Sequence, residues 1–138
     1  MRTALLVLAV ALALALPAGD LRAAGGAPKR KVVTVTERAT SPLVAVSRWG
    51  ELQVTIEVEV TTTTVGTRKT RRLRITDIRF PVYPDHSDRS AFISSQALPL
   101  LRQEVLELRG TTIQLVSGAT DTSYGFVEAL RAALAKIK

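Results

Sequence analysis

Leu52, Val54, Ile56, Val58 and Val60 alternate with Gln53, Thr55, Glu57 and Glu59, the period-two pattern of a strand buried on one face. Thr61 to Thr64 extend it in β-favouring residues, and Gly66 marks a turn. Leu73, Ile75, Ile78 and Phe80 then supply a returning strand, so the spacing predicts an antiparallel hairpin. Around Asp77 the alternation slips by one residue, which predicts a bulge or a bend. Upstream, Val32, Val33 and Val35, and then Leu43 to Val46, read as shorter strands separated by polar residues and Pro42.

Beyond Phe80 the period changes. Pro81 to Asp88 reads as a loop, and Asp88 or Ser90 is placed to cap a helix after it. Leu98, Leu101, Val105 and Leu108 fall at helical intervals, with Arg102, Gln103, Glu104 and Glu107 on the other side. Pro99 disrupts a helix interior, so the pattern predicts a short helix over Ala91–Ala97 and a second piece opened by Pro99. Gly110 is a stop signal, Thr111 to Val116 reads as a short strand, and a last helix from about Ser123 is expected to bury Phe126, Leu130, Ala133, Leu134 and Ile137. The order predicts an α+β fold, a twisted, mostly antiparallel sheet with two to three helices packed on one face.

One apolar stretch fits neither period. Ala4 to Leu16 is an unbroken run of Ala, Leu and Val after Arg2, too short for a membrane-spanning helix, which needs roughly 20 residues. Small residues from Ala23 to Ala27 follow it, so residues 1–25 read as a secretory signal cleaved near Gly25, with an extracytoplasmic destination. Residues 26–45 then form an N-terminal extension with a strand, and 46–138 the main domain. Cysteine is absent, His86 is the single histidine and Met1 the single methionine, which leaves no ligands for disulfide frameworks, zinc clusters or the usual haem and copper sites, and no thiol nucleophile. No His/Asp/Ser or paired-carboxylate arrangement points to a substrate reaction of its own, so redox chemistry would have to come from a cofactor.

The segment Val116-Ser117-Gly118-Ala119-Thr120-Asp121-Thr122-Ser123 carries the most chemistry. Small residues let backbone amides approach a ligand, and the helix beyond presents unpaired N–H groups and the positive end of its dipole, a phosphate-sized arrangement. Ser, Thr and Asp before a helix are also ordinary caps, and the residues alone leave both readings open. The string Ser117-Gly118-Ala119-Thr120 with Thr122, Ser123 and Phe126 resembles the signature of the FMN-binding domain family, small exported flavoproteins related to flavin subunits of membrane quinone reductases. Arg48-Trp49-Gly50, Ile75-Thr76-Asp77-Ile78, Tyr83-Pro84, Arg89-Ser90 and Ala97-Leu98-Pro99 resemble it in the same order, over roughly residues 46–137.

The resemblance implies FMN at this turn, with its phosphate esterified to Thr120 by a flavin transferase. Ser117, Gly118 and Ala119 would shape the turn, Thr122 and Ser123 would add hydrogen bonds, and Trp49, Tyr83 and Tyr124 would be ring contacts. Gln114 stands where the transferase-recognised pattern has Asp, which leaves non-covalent FMN binding as the alternative to an ester. The implied role is an electron carrier between a membrane donor and an extracytoplasmic redox partner, rather than an enzyme with its own substrate.

Charge adds a competing expectation. The formal net charge is +7, with clusters at Lys29, Arg30, Lys31 and at Arg68, Lys69, Arg71, Arg72, Arg74. A flavin-free interaction module docking through that basic hairpin to an anionic surface or acidic partner accounts for the second cluster, as does a solvated edge that discourages aggregation. No aromatic residue is interleaved with the cations, which argues against nucleic acid.

Overall fold

A computed structural model describes residues 26–108 and 114–138. The expected signal segment, Gly110 and the Thr111–Ile113 part of the expected strand lie outside the described residues. The strands are β1 (Arg30–Thr40), β2 (Val44–Ala45), β3 (Glu51–Val65) and β4 (Arg68–Val82), and the helices are α1 (Asp88–Leu108) and α2 (Thr120–Leu134). They form an α+β fold, an open antiparallel sheet with helices on one face.

The alternating segment becomes the central strand. β3 pairs with β1 from Thr40↔Thr55 to Arg30↔Val65 and with β4 from Gln53↔Val82 to Val65↔Arg68. β2 takes up the edge that β1 leaves, pairing Val44 with Leu52. Ser41 makes the join: its N–H donates to the Val54 carbonyl, and its buried hydroxyl accepts from the Val54 N–H at 3.0 Å. Pro42 can then turn the chain without orphaning a buried amide of β3. At the far end Gly66 holds φ +58 in the two-residue Gly66-Thr67 turn, the pattern of a type II′ hairpin.

The slip at Asp77 is a bulge. Glu57 faces Asp77 while Val58 faces Ile75, so Thr76 is the extra residue, and its hydroxyl donates to the Glu57 carbonyl at 3.1 Å. A second irregularity, between Gln53 and Thr55, inserts a residue near Phe80 and Pro81. β4 therefore runs through Pro81, which an edge strand tolerates because no neighbour needs its missing N–H. Asp77 anchors the first bulge to α1. Its carboxylate accepts from Arg102 at 2.8 Å and from Arg79 at 2.9 Å, while Arg102 Nε donates to the Ile78 carbonyl. Arg102, expected on the water side of its helix, thus ties α1 to β4.

The core forms where Leu52, Val54, Ile56 and Val58 meet Leu101 and Val105 of α1 and Phe126, Ala129 and Leu130 of α2, all with 0% exposure. Phe126 packs on Phe80 with ring centroids 5.8 Å apart. Gly125 lets α2 come close, since a Cβ there would lie 2.8 Å from Val46 Cγ2.

Several boundary expectations are corrected. α1 is one helix containing Pro99, not two pieces. Pro99 and Ser95 both lie on its exposed side, so the Ser95 carbonyl that loses its helical donor can be hydrated. Ser87 caps α1 rather than Asp88 or Ser90: its hydroxyl accepts from the Ser90 N–H, and the Ser90 hydroxyl accepts in return from the Ser87 N–H. Leu108, expected on the buried face, is 63% exposed. Gln114 to Val116 are not strand, and α2 starts at Thr120, earlier than expected.

Two outcomes are expected. Gly125→Ala gains helix propensity of about 1 kcal/mol but drives a methyl into the buried Val46, at a cost of about 1–3 kcal/mol. Urea denaturation should show net destabilisation that shrinks when Val46→Ala is added, whereas a stabilised single variant would contradict the close approach. Arg102 foremost, and Arg79 second, hold the Asp77 carboxyl below its ordinary 3.8. The stability this provides is fully present above that value and is lost as pH falls through the lowered folded one. Between roughly pH 5 and pH 2, Asp77→Asn should therefore lose less stability than the parent, and parallel curves would show that the group contributes nothing.

Candidate functional site

At the end of the sheet opposite the hairpin, three segments converge. The first is a single 3-10 turn, Ser47–Trp49, closed by hydrogen bonds from Trp49 N–H to the Val46 carbonyl and from Val46 N–H to the Gly50 carbonyl. Gly50 reverses the chain into β3 at φ +122, where a side chain would be strained and would crowd His86 at 3.3 Å. His86 itself is exposed, as its polar loop suggests. The second segment is the first turn of α1, with Arg89. The third is the turn before α2.

That third turn is built by hydrogen bonds from its own residues. Ala119 N–H donates to the Val116 carbonyl at 3.0 Å, with Ser117 and Gly118 between them and Gly118 at φ +77, the conformation that the third position of a type II turn demands. A Cβ on Gly118 would meet nothing within 4 Å, so conformation rather than space explains the glycine. Ser123 fastens the turn from inside: its buried hydroxyl accepts from Val116 N–H at 3.0 Å and donates to the Ala119 carbonyl at 2.9 Å. Ala119 occupies the N-cap position and brings no side-chain oxygen to it. The first N–H groups of α2 therefore keep their hydrogen-bonding capacity and the positive end of the helix dipole.

A cavity of about 220 Å³ opens in front of them, lined by Trp49, Arg89, Ile93, Gly118, Ala119, Thr120, Asp121 and Thr122. Two guanidinium groups approach the Trp49 ring, Arg48 at 4.8 Å and Arg89 at 5.9 Å from its centroid. Trp49 Nε1–H donates to the Asp121 carboxylate at 3.1 Å, which ties the 3-10 turn to α2. The cavity lining thus holds one cation, Arg89, and one carboxylate, which is already partnered, while Arg48 lies on the Trp49 ring beside it.

Of the residues singled out from sequence, Gly118, Ala119, Thr120, Thr122 and Trp49 line this cavity. Ser117 is exposed in the turn beside it, and the Ser123 hydroxyl is committed to the turn's own backbone. Tyr124 is exposed and lines neither cavity described here. Tyr83 lines a different one, an open groove of about 910 Å³ between β4 and α1, with Phe80, Leu98, Pro99, Arg102 and Leu106. Gln114 is exposed, and its N–H donates to Glu104 Oε1 at 2.8 Å. Arg89, Ile93 and Asp121 had no role assigned from sequence. The signal for Arg89 was its place in the first helical turn after a serine cap, within a dipeptide already noted.

The chemistry of the lining suits the phosphate end of a nucleotide-like ligand: free helix N–H groups, a guanidinium and the Thr120 and Thr122 side chains. The volume falls below the roughly 300 Å³ at which pockets enclose whole small molecules, so a ring system as large as a flavin would extend beyond it. Among the described residues no cluster of three or more His, Cys, Asp or Glu could hold a metal, and no helix is long and apolar enough to cross a membrane. No protein-family model matches the chain, and no curated protein matches it.

The Ser123 hydroxyl is the test of how this turn is held. Ser123→Ala removes both its hydrogen bonds and strands the Val116 amide, an expected loss of about 1–3 kcal/mol in thermal or urea unfolding. Amide exchange at Val116 and Ala119 should speed up more than at core positions of β3; unchanged protection would mean that the turn does not need the hydroxyl.

Proposed function

We propose that the chain is an exported FMN-carrying domain that passes electrons between a membrane donor and an acceptor outside the cytoplasm, with the flavin phosphate at the N-terminus of α2. The carrying observation is convergence. Three of the segments on which the family resemblance rests, Arg48-Trp49-Gly50, Arg89-Ser90 and Ser117 to Thr120, are far apart in sequence yet border one anion-suited cavity. Arg89 and the free N–H groups of α2 would neutralise the phosphate, and the Trp49 hydrogen bond would keep the Asp121 carboxylate engaged. Thr120 is exposed at the first helical position, so its hydroxyl is within reach of a modifying enzyme. When bound, the isoalloxazine supplies the redox chemistry, and the protein supplies binding and orientation. A cavity sized for the phosphate end leaves the ring at the surface, which suits exchange of electrons with a partner rather than turnover of an enclosed substrate.

The experiment is spectroscopic. Co-expressed with a flavin transferase, the protein should be yellow, and flavin that survives denaturation should disappear in Thr120→Ala. If Gln114 prevents the ester, the purified protein should still bind added FMN, and Arg89→Ser should weaken that binding on the order of 10-fold. A colourless protein that ignores added FMN overturns the reading.

A further inference from the structure

The hairpin reaches farther than the layer that covers it. In an antiparallel ladder, directly paired residues share a face, so the register fixes what lies on the helix side of the ribbon. Passing outward from the core, the rows are Val35–Val60–Leu73, then Val33–Thr62–Arg71, then Lys31–Thr64–Lys69. Val35 and Leu73 of the first row are each 50% exposed and Val33 of the second is 43% exposed, so these apolar residues lie at the margin of the helices. Among the described residues the C-terminal end reaches this part of the ribbon: Lys138 N–H donates to Glu37, and Arg71 donates to the Lys138 carbonyl. Reading outward, the same face changes from buried apolar, to exposed apolar, to basic.

The charge is as lopsided as the burial. Residues 29–35 and 60–73 contain Lys29, Arg30, Lys31, Arg68, Lys69, Arg71 and Arg72 and no acidic residue, as many positive charges as the formal net charge of the whole chain, +7. Arg74, one row nearer the core, already faces Glu59 across the ladder. The surplus of the entire sequence is therefore carried by the distal end of one three-stranded ribbon.

We propose that this ribbon tip is a docking surface for a bilayer of anionic phospholipid. With this face of the ribbon laid against the bilayer, Lys31, Lys69 and Arg71 meet the headgroups, and Val33, Val35 and Leu73 beside them on the same face meet the boundary with the acyl chains. Basic residues alone would suit any polyanion. The exposed apolar residues select the bilayer over nucleic acid, whose phosphates give Val and Leu nothing to contact, and the ribbon holds no aromatic side chain on which bases could stack. This inference makes no use of the flavin reading.

The test is sedimentation of the full chain with vesicles of phosphatidylglycerol and phosphatidylcholine, against vesicles of phosphatidylcholine alone, which report any binding by the apolar residues 4–16. Binding should require the anionic lipid and fall steeply as salt rises from about 0.1 M to 0.5 M. The combined variant Lys29→Ser, Lys31→Ser and Lys69→Ser should lose on the order of 100-fold in affinity at an unchanged melting temperature. Leu73→Ser should weaken binding several-fold while leaving its salt dependence intact. If the triple variant does not fold, the salt titration and Leu73→Ser carry the test. Equal binding to both vesicle types overturns the proposal, as does binding to duplex DNA without binding to vesicles, or self-association through the ribbon that leaves no vesicle binding.

Discussion

Leu52, Val54, Ile56 and Val58 can leave water only if something covers one face of β3, and the backbone of β3 can be buried only if both its edges are paired. β1 with β2 on one side and β4 on the other meet the second demand, and α1 and α2 meet the first. The details serve these two requirements. Ser41 supplies the hydrogen bond that the turn at Pro42 would otherwise remove, and the bulge at Thr76 lets β4 keep Ile75 and Ile78 on the inner face despite the extra residue. Asp77 then joins that bulge to α1 through Arg102, so the irregular point of the sheet is also where a helix is fastened.

The cavity at the other end follows from the same packing. α2 sits close to the 46–50 turn because Gly125 offers no side chain to Val46, and that proximity brings Trp49 within hydrogen-bonding distance of Asp121. The turn before α2 is braced from inside by Ser123, which spares the outward helix N–H groups from the job of holding it. An uncapped helix start is normally a liability. Here it faces a cavity with a guanidinium in its wall, so the charge of both favours an anion over a cation.

Legibility in the sequence tracked how local each determinant is. The strand of Leu52 to Val60, the turn at Gly66 and the slip at Asp77 depend on neighbours a few residues away, and each is found where the pattern puts it. The reading failed where tertiary surroundings decide. Pro99 is compatible with a continuous helix only because it lies on the water side, a fact that no local rule contains. The start of α2 was placed late because Ala119, a poor capping residue, holds the N-cap position, while Ser123, a good one, works inside the first turn. For the site, the small-residue turn was legible, whereas Arg89 and Asp121 gained meaning only when α1 and the 3-10 turn were brought beside it. Tyr83 shows the converse: near the motif segments in sequence order, it faces a separate groove.

β3 also sets a distance. Its 15 residues separate the cavity end from the basic tip by about 45 Å at 3.3 Å per residue. Screening at physiological ionic strength acts over about 8 Å, so exposed charges at the tip are attenuated through roughly five such lengths before they reach the cavity. The field that the seven cations create is therefore a property of one end alone. An anion placed at the other end would feel Arg89, the nearby Arg48, Asp121 and the dipole of α2, and the two ends can change charge without altering each other.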